Sequence, residues 1–162
     1  MNLMTSQRFL PALAAAGSAS VLLAALVFQF FGVAPCELCI LQRWPHLFAA
    51  VLGLIVALVP PIAKAPVLAL GAIAMLANTV LAAYHSGVER GIFEGPTSCT
   101  SNGVTSVSAG DLLAQIRNAP MIRCDEIAWQ MFGVTMPNLN ILASALFAAI
   151  WIAAIVKSRR DV

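Results

Sequence analysis

Uncharged, apolar stretches begin at Phe9, Trp44, Ala65 and Leu139, and each is close to the length that crosses a bilayer. About 20 helical residues span the ~30 Å hydrocarbon layer. The pattern therefore predicts four transmembrane helices, over about 9–34, 40–61, 65–84 and 138–157. The first stretch is much longer than the roughly 7–15 apolar residues of a cleaved signal peptide, so it is read as a span. Between the spans lie segments 35–39 and 62–64 and one long segment, 85–137, with 1–8 and 158–162 at the ends. The chain, 1–162, reads as one all-α membrane domain, a four-transmembrane-helix bundle.

Composition agrees: 60% of the 162 residues are hydrophobic and 10% charged, which excludes an ordinary soluble domain of this size. Small residues inside the spans, Gly17 with Ser20, Gly53, Gly71 and Ser144, are expected where helices approach closely, and Gln29 and Asn78 as hydrogen bonds between helices. In the long segment, Ser108 followed by Asp111 and LLAQIR predicts a short capped helix. DEIAWQMFG from Asp125 predicts a second, ended by Gly133, with Trp129 and Phe132 anchored at the membrane surface.

Charge orients the bundle. Arg8, Lys64, Lys157, Arg159 and Arg160 stand against Asp161 on one side. The long segment sets Arg90, Arg117 and Arg123 against Glu89, Glu94, Asp111, Asp125 and Glu126, three positive against five negative. Cations favour the cytoplasmic side, so the long segment faces outward and both termini inward. All four cysteines, Cys36, Cys39, Cys99 and Cys124, then lie on the outer side, where they read as two disulfides or as a redox relay.

The stretch PCELCILQRWPHL concentrates candidate chemistry. Pro35 suits the first helical position, placing Cys36 and Cys39 in an opening turn whose free N–H groups lower thiol pKa values. Arg43, one turn beyond Cys39 on the same face, can hold a thiolate's charge. His46 reads as an interfacial histidine. His85, at the outer end of the third span, is expected to approach Cys39 and Arg43. A disulfide across three residues constrains almost nothing, so Cys36 and Cys39 read as a reactive dithiol. Cys99 and Cys124 lack the paired spacing of a zinc knuckle, and no metal is expected.

PCELCILQRW, YHSGVE, the two loop cysteines and RCDEIAWQMFGVTMPNLN together resemble the bacterial disulfide bond formation protein B (DsbB) family, over nearly the whole chain. The resemblance implies a protein-disulfide:quinone oxidoreductase of the bacterial inner membrane, with both termini cytoplasmic and a long periplasmic loop carrying short surface helices. Its cofactor would be ubiquinone or menaquinone. Its partner would be a DsbA-like periplasmic thiol oxidase, alongside membrane lipid and the quinone pool, with no nucleic acid. Cys36 and Cys39 match the pair that communicates with quinone, Cys39 nearest the ring; Arg43 and His85 match residues that bind it. Cys99 matches the loop cysteine attacked by the partner and Cys124 its resolving mate. Glu37, an acid between the paired cysteines, departs from the pattern. A vitamin K epoxide reductase-like enzyme, a variant dedicated to one client, and a non-enzymatic subunit stapled by its cysteines are the alternatives.

Overall fold

The computed structural model describes residues 3–59, 65–100 and 123–160. Four helices dominate: α1 (Leu3–Phe30), α2 (Glu37–Leu58), α3 (Ala65–Glu89) and α4 (Met136–Arg160). Each is long and apolar enough to cross a membrane, so the chain is an all-α, multi-pass membrane protein. Large side chains such as Leu23, Leu58, Val80 and Leu142 face outward, as a lipid solvent allows.

Small residues and a few large ones fill the interior. α3 lies most extensively against α4, and α1 against α2. Gly17 faces the Phe147 ring, and Gly71 sits where a Cβ would lie 2.5 Å from the Trp151 indole. Gly53 lets α2 approach the Pro11 carbonyl of α1, where a Cβ would stand 2.6 Å from that oxygen. These three glycines are the packing positions read from sequence. Ser20 is not: it is exposed and bonds back to the Ala16 carbonyl at 2.8 Å. Asn78 donates to Ser144 on α4 at 2.8 Å, the interhelical bond expected of an amide that lipid cannot satisfy.

Three expectations are corrected. α2 begins at Glu37, so Pro35 precedes the helix and Cys36 occupies its N-cap. α3 continues to Glu89, so His85 is a helical residue on a buried face. The stretch from Asp125 contains no described helix: Gln130–Met131 (β1) and Val134–Thr135 (β2) pair as an antiparallel hairpin. Its two turn residues, Phe132 (φ 51°) and Gly133 (φ 79°), both take the left-handed conformation of a primed hairpin turn. Gly133 thus turns a hairpin where a helix terminus was expected. Phe132 is 97% exposed at the tip, while Trp129 meets Phe28 of α1 edge-on, ring centroids 5.6 Å apart. The helix expected from Ser108 lies outside the described residues.

Candidate redox site

The start of α2 builds the site's first half. Cys36, extended at the N-cap, accepts the Cys39 N–H with its sulfur at 3.2 Å, satisfying one of the donors every helix start leaves free. Its thiol donates to the Cys39 sulfur at 2.9 Å, and both cysteines are free. That bond to Cys39 and the burial of Cys36 together push the Cys36 thiol above the ordinary range. The expectation of a lowered value there was wrong, because an N-cap sulfur that already donates to a neighbouring sulfur loses a bond on giving up its proton.

The loop supplies the second half. Cys99 and Cys124 form a disulfide, each wholly buried, and the Cys124 N–H donates to the Cys99 carbonyl at 2.7 Å. The disulfide packs in one apolar cluster with Cys36, Leu38 and Val88, flanked by Cys39, Leu81 and Tyr84. All four sulfurs therefore share one buried patch where α2 begins and α3 ends. Tyr84 fastens the loop by donating to the Glu94 carbonyl at 2.8 Å. Arg123 grips Asp125 at 3.0 and 2.6 Å, which holds the Asp125 carboxyl below its ordinary range.

Beside this patch a cavity of about 260 Å³ opens between α1, α2, α4, His85 of α3, and Ala128 and Trp129, which precede the hairpin. Its walls are mainly apolar, with Phe28, Trp129 and Leu139 among them, and its polar lining comes from Cys39, Gln42, Arg43, His46, His85 and Asn140. Arg43 reaches across to α1 and donates to Gln29 at 2.9 Å, the interhelical role read for that amide. Cys39 and Arg43 thus line one cavity, as their spacing on α2 suggested.

His85 sits differently from the expectation. Its Nε2 lies 3.4 Å from the Cys36 sulfur and its Nδ1 2.8 Å from Gln42 Nε2, so it meets Cys36 and Gln42, while sharing the cavity wall with Cys39 and Arg43. Glu89, one turn on, has a buried carboxyl whose Oε1 is 4.0 Å from that Nε2. His46 is also corrected. It is 1% exposed, inside the bundle, with Nε2 2.8 Å from Asn140 Oδ1. Sequence reasoning missed Gln42, Asn140 and Glu89. The signal for the first two was an amide on an otherwise apolar span.

A dithiol and a disulfide in contact at one end of a four-helix membrane bundle, beside an apolar cavity, define a membrane thiol–disulfide protein. The family model for disulfide bond formation protein DsbB matches residues 7–154, and the chain belongs to that family. The chain is also similar to an uncharacterized protein, RP370, of Rickettsia prowazekii (strain Madrid E), 28% identical over 116 residues. The match covers 69% of this chain and 66% of that relative, just under two thirds of its length.

Proposed function

We propose that the protein reoxidises a DsbA-like periplasmic thiol oxidase and passes the electrons to a membrane quinone. The observation that carries this reading is the position of Cys39, whose sulfur touches Cys36 on one side and whose side chain lines the cavity on the other. The residues fit such a ring: the lining is mainly apolar, and it includes an arginine able to donate to a carbonyl oxygen. When bound, a quinone supplies an acceptor for two electrons and two protons.

The chain's own residues do the rest by thiol–disulfide exchange, in which a thiolate attacks one sulfur and the other leaves with the bonding pair. The partner's thiolate attacks Cys99, and Cys124 leaves. Cys124 attacks Cys36 of an oxidised Cys36–Cys39 pair, and Cys39 leaves as a thiolate in the first turn of α2, beside Arg43. The partner's second thiol then attacks its own mixed disulfide, which frees the partner and leaves Cys99 as a thiolate. Cys99 closes on Cys124 and expels Cys36. The product is the state described above, with the loop disulfide intact and a free dithiol. Lys157, Arg159 and Arg160 end α4 at the far side of the bundle, which favours a periplasmic site and cytoplasmic termini in the inner membrane.

The test is an anaerobic assay with purified protein, reduced partner and quinone. Cys39→Ser should still trap the partner through Cys99 yet form no quinol. Appreciable quinol from this variant would remove Cys39 from the electron path and with it this reading.

A further inference from the structure

An unbroken hydrogen-bonded chain runs from the sulfurs into the bundle, and one of its members decides which proton His85 carries. Gln42, 5% exposed, donates through Nε2 to the Leu38 carbonyl at 3.1 Å. Its Oε1 accepts from Asn140 Nδ2 at 2.5 Å, and Asn140 Oδ1 faces His46 Nε2 at 2.8 Å. With both ends of the amide committed, the Nε2 group is what it presents to His85 Nδ1, 2.8 Å away. An N–H there requires a lone pair on Nδ1, so the ring proton sits on Nε2, facing the Cys36 sulfur at 3.4 Å. Carboxamides orient protons and pass them on poorly, so this chain is an orienting device and not a proton path.

We propose that Gln42 is a positioning residue which locks His85 in the Nε2–H tautomer, so that this N–H supports negative charge on Cys36. The inference rests on the redox reading above. Cys36 bears that charge twice in it. When Cys99 attacks Cys124 of a Cys124–Cys36 disulfide, the Cys124–Cys36 bond breaks and Cys36 leaves with the electron pair. When the Cys36–Cys39 disulfide re-forms, Cys36 must give up its proton and attack, while two electrons leave toward the quinone. Cys39 from α2 and His85 from α3 meet Cys36 directly; Arg43 of α2 and Glu89 of α3 act on the neighbouring Cys39, Glu89 standing 4.0 Å from His85 Nε2, and Arg123 and Asp125 lie beside the loop disulfide. Among the described residues, α1 and α4 bring no charged side chain to this cluster.

The experiment measures alkylation of Cys36 by iodoacetamide against pH in reduced membranes, resolved by peptide mass spectrometry. Gln42→Met keeps the length and removes the N–H. A hydrogen bond to a charged group is worth about 10-fold to 100-fold in an equilibrium, so His85→Leu, which removes the bond, should move the alkylation profile up by about one to two pH units, and Gln42→Met, which only frees the tautomer, by a smaller amount of about half a unit to one unit. His85→Gln, which places an N–H near the same sulfur, should stay within about threefold of the parent, and His85→Leu should not. In the His85→Gln background Gln42→Met should lose its effect, because no tautomer is left to set. An unmoved profile in Gln42→Met, or a shift as large in the His85→Gln background as in the parent, overturns the proposal. Should Gln42→Met fail to fold, equal profiles for His85→Gln and His85→Leu do so instead. Quinol formation by the parent, measured in the same membranes, separates this outcome from failure of the redox reading.

Discussion

Arg43 offers the sharpest quantitative test of how the cavity works. Its guanidinium donates to Gln29 at 2.9 Å and also lines the cavity beside Cys39, so truncation removes a helix-to-helix bond and, on the proposed function, the contact to the quinone together. The two losses differ in size. A neutral acceptor such as Gln29 makes a bond worth about 0.5–1.5 kcal/mol, felt as stability. A bond from the charged guanidinium to a carbonyl oxygen in this apolar slot is worth about 1.5–3 kcal/mol, felt as affinity. At about 1.36 kcal/mol per factor of ten, Arg43→Ala should raise the apparent quinone KM about 10-fold to 150-fold. Gln29→Leu, which breaks only the bond between helices, should change it less than about threefold. Arg43→Lys should fall between, keeping charge and losing the planar fork. The assay is an anaerobic titration of short-tailed quinone at saturating reduced partner, followed by quinol absorbance. An unchanged titration in Arg43→Ala, or an equal rise in Gln29→Leu, would refute the reasoning and return Arg43 to a helix-pairing role.

Two further outcomes follow from contacts outside the cavity. Gly53→Ala would place a methyl group 2.6 Å from a backbone oxygen of Pro11 and 2.7 Å from the Ala15 Cβ, neither of which is the end of a flexible side chain. Overpacking of this kind costs about 1–3 kcal/mol, so the unfolding midpoint in detergent should fall, and an unshifted midpoint counts against the close α1–α2 approach. Asp125, depressed below its ordinary 3.8 by Arg123, contributes to the loop's anchorage fully above that value and loses it only as pH falls through its lower folded value. Asp125→Asn should therefore speed reduction of the Cys99–Cys124 disulfide by a small thiol by a ratio that stays constant between about pH 5 and about pH 8. A ratio that changes across that window would mean another group governs the loop.

Much of the fold is legible because lipid is a demanding solvent. A bilayer satisfies no backbone group, so a crossing segment must be a helix and must be apolar over its length, and both conditions are written locally. The same logic makes Gly17, Gly53 and Gly71 readable, since helices without a hydrophobic drive to associate close on small residues. The dithiol, too, is a local object: Cys36, Cys39 and Arg43 sit on one stretch at the start of α2, and the wall that Cys39 and Arg43 share follows from helical spacing alone. The hairpin was obscured because acids after Cys124 imitate a helix start. What overrides them is Phe132 and Gly133 in left-handed geometry and the lodging of Trp129 against Phe28, a tertiary contact that no local propensity reports.

The polar interior escaped for a different reason. Position along a helix tells which face a residue occupies but not which neighbour's residue stands opposite, and that depends on where each helix starts and stops. α3 runs about one turn past its expected end, and this extension sets His85 at the height of Cys36 on α2. Gln42 meets Asn140, 98 positions away, and His46 meets the same amide from 94 positions away. Yet such residues announce their need if not their partner. A side-chain amide or imidazole on an apolar span cannot be satisfied by lipid, so it must find a donor or acceptor inside the bundle. Gln42, His46 and Asn140 are polar exceptions in the N-terminal parts of α2 and α4, and the place for their bonds is the seam those helices share with α3. Reading them together as one network, in place of separate surface histidines and amides, is the step that would have located the inner wall of the site before its geometry was known.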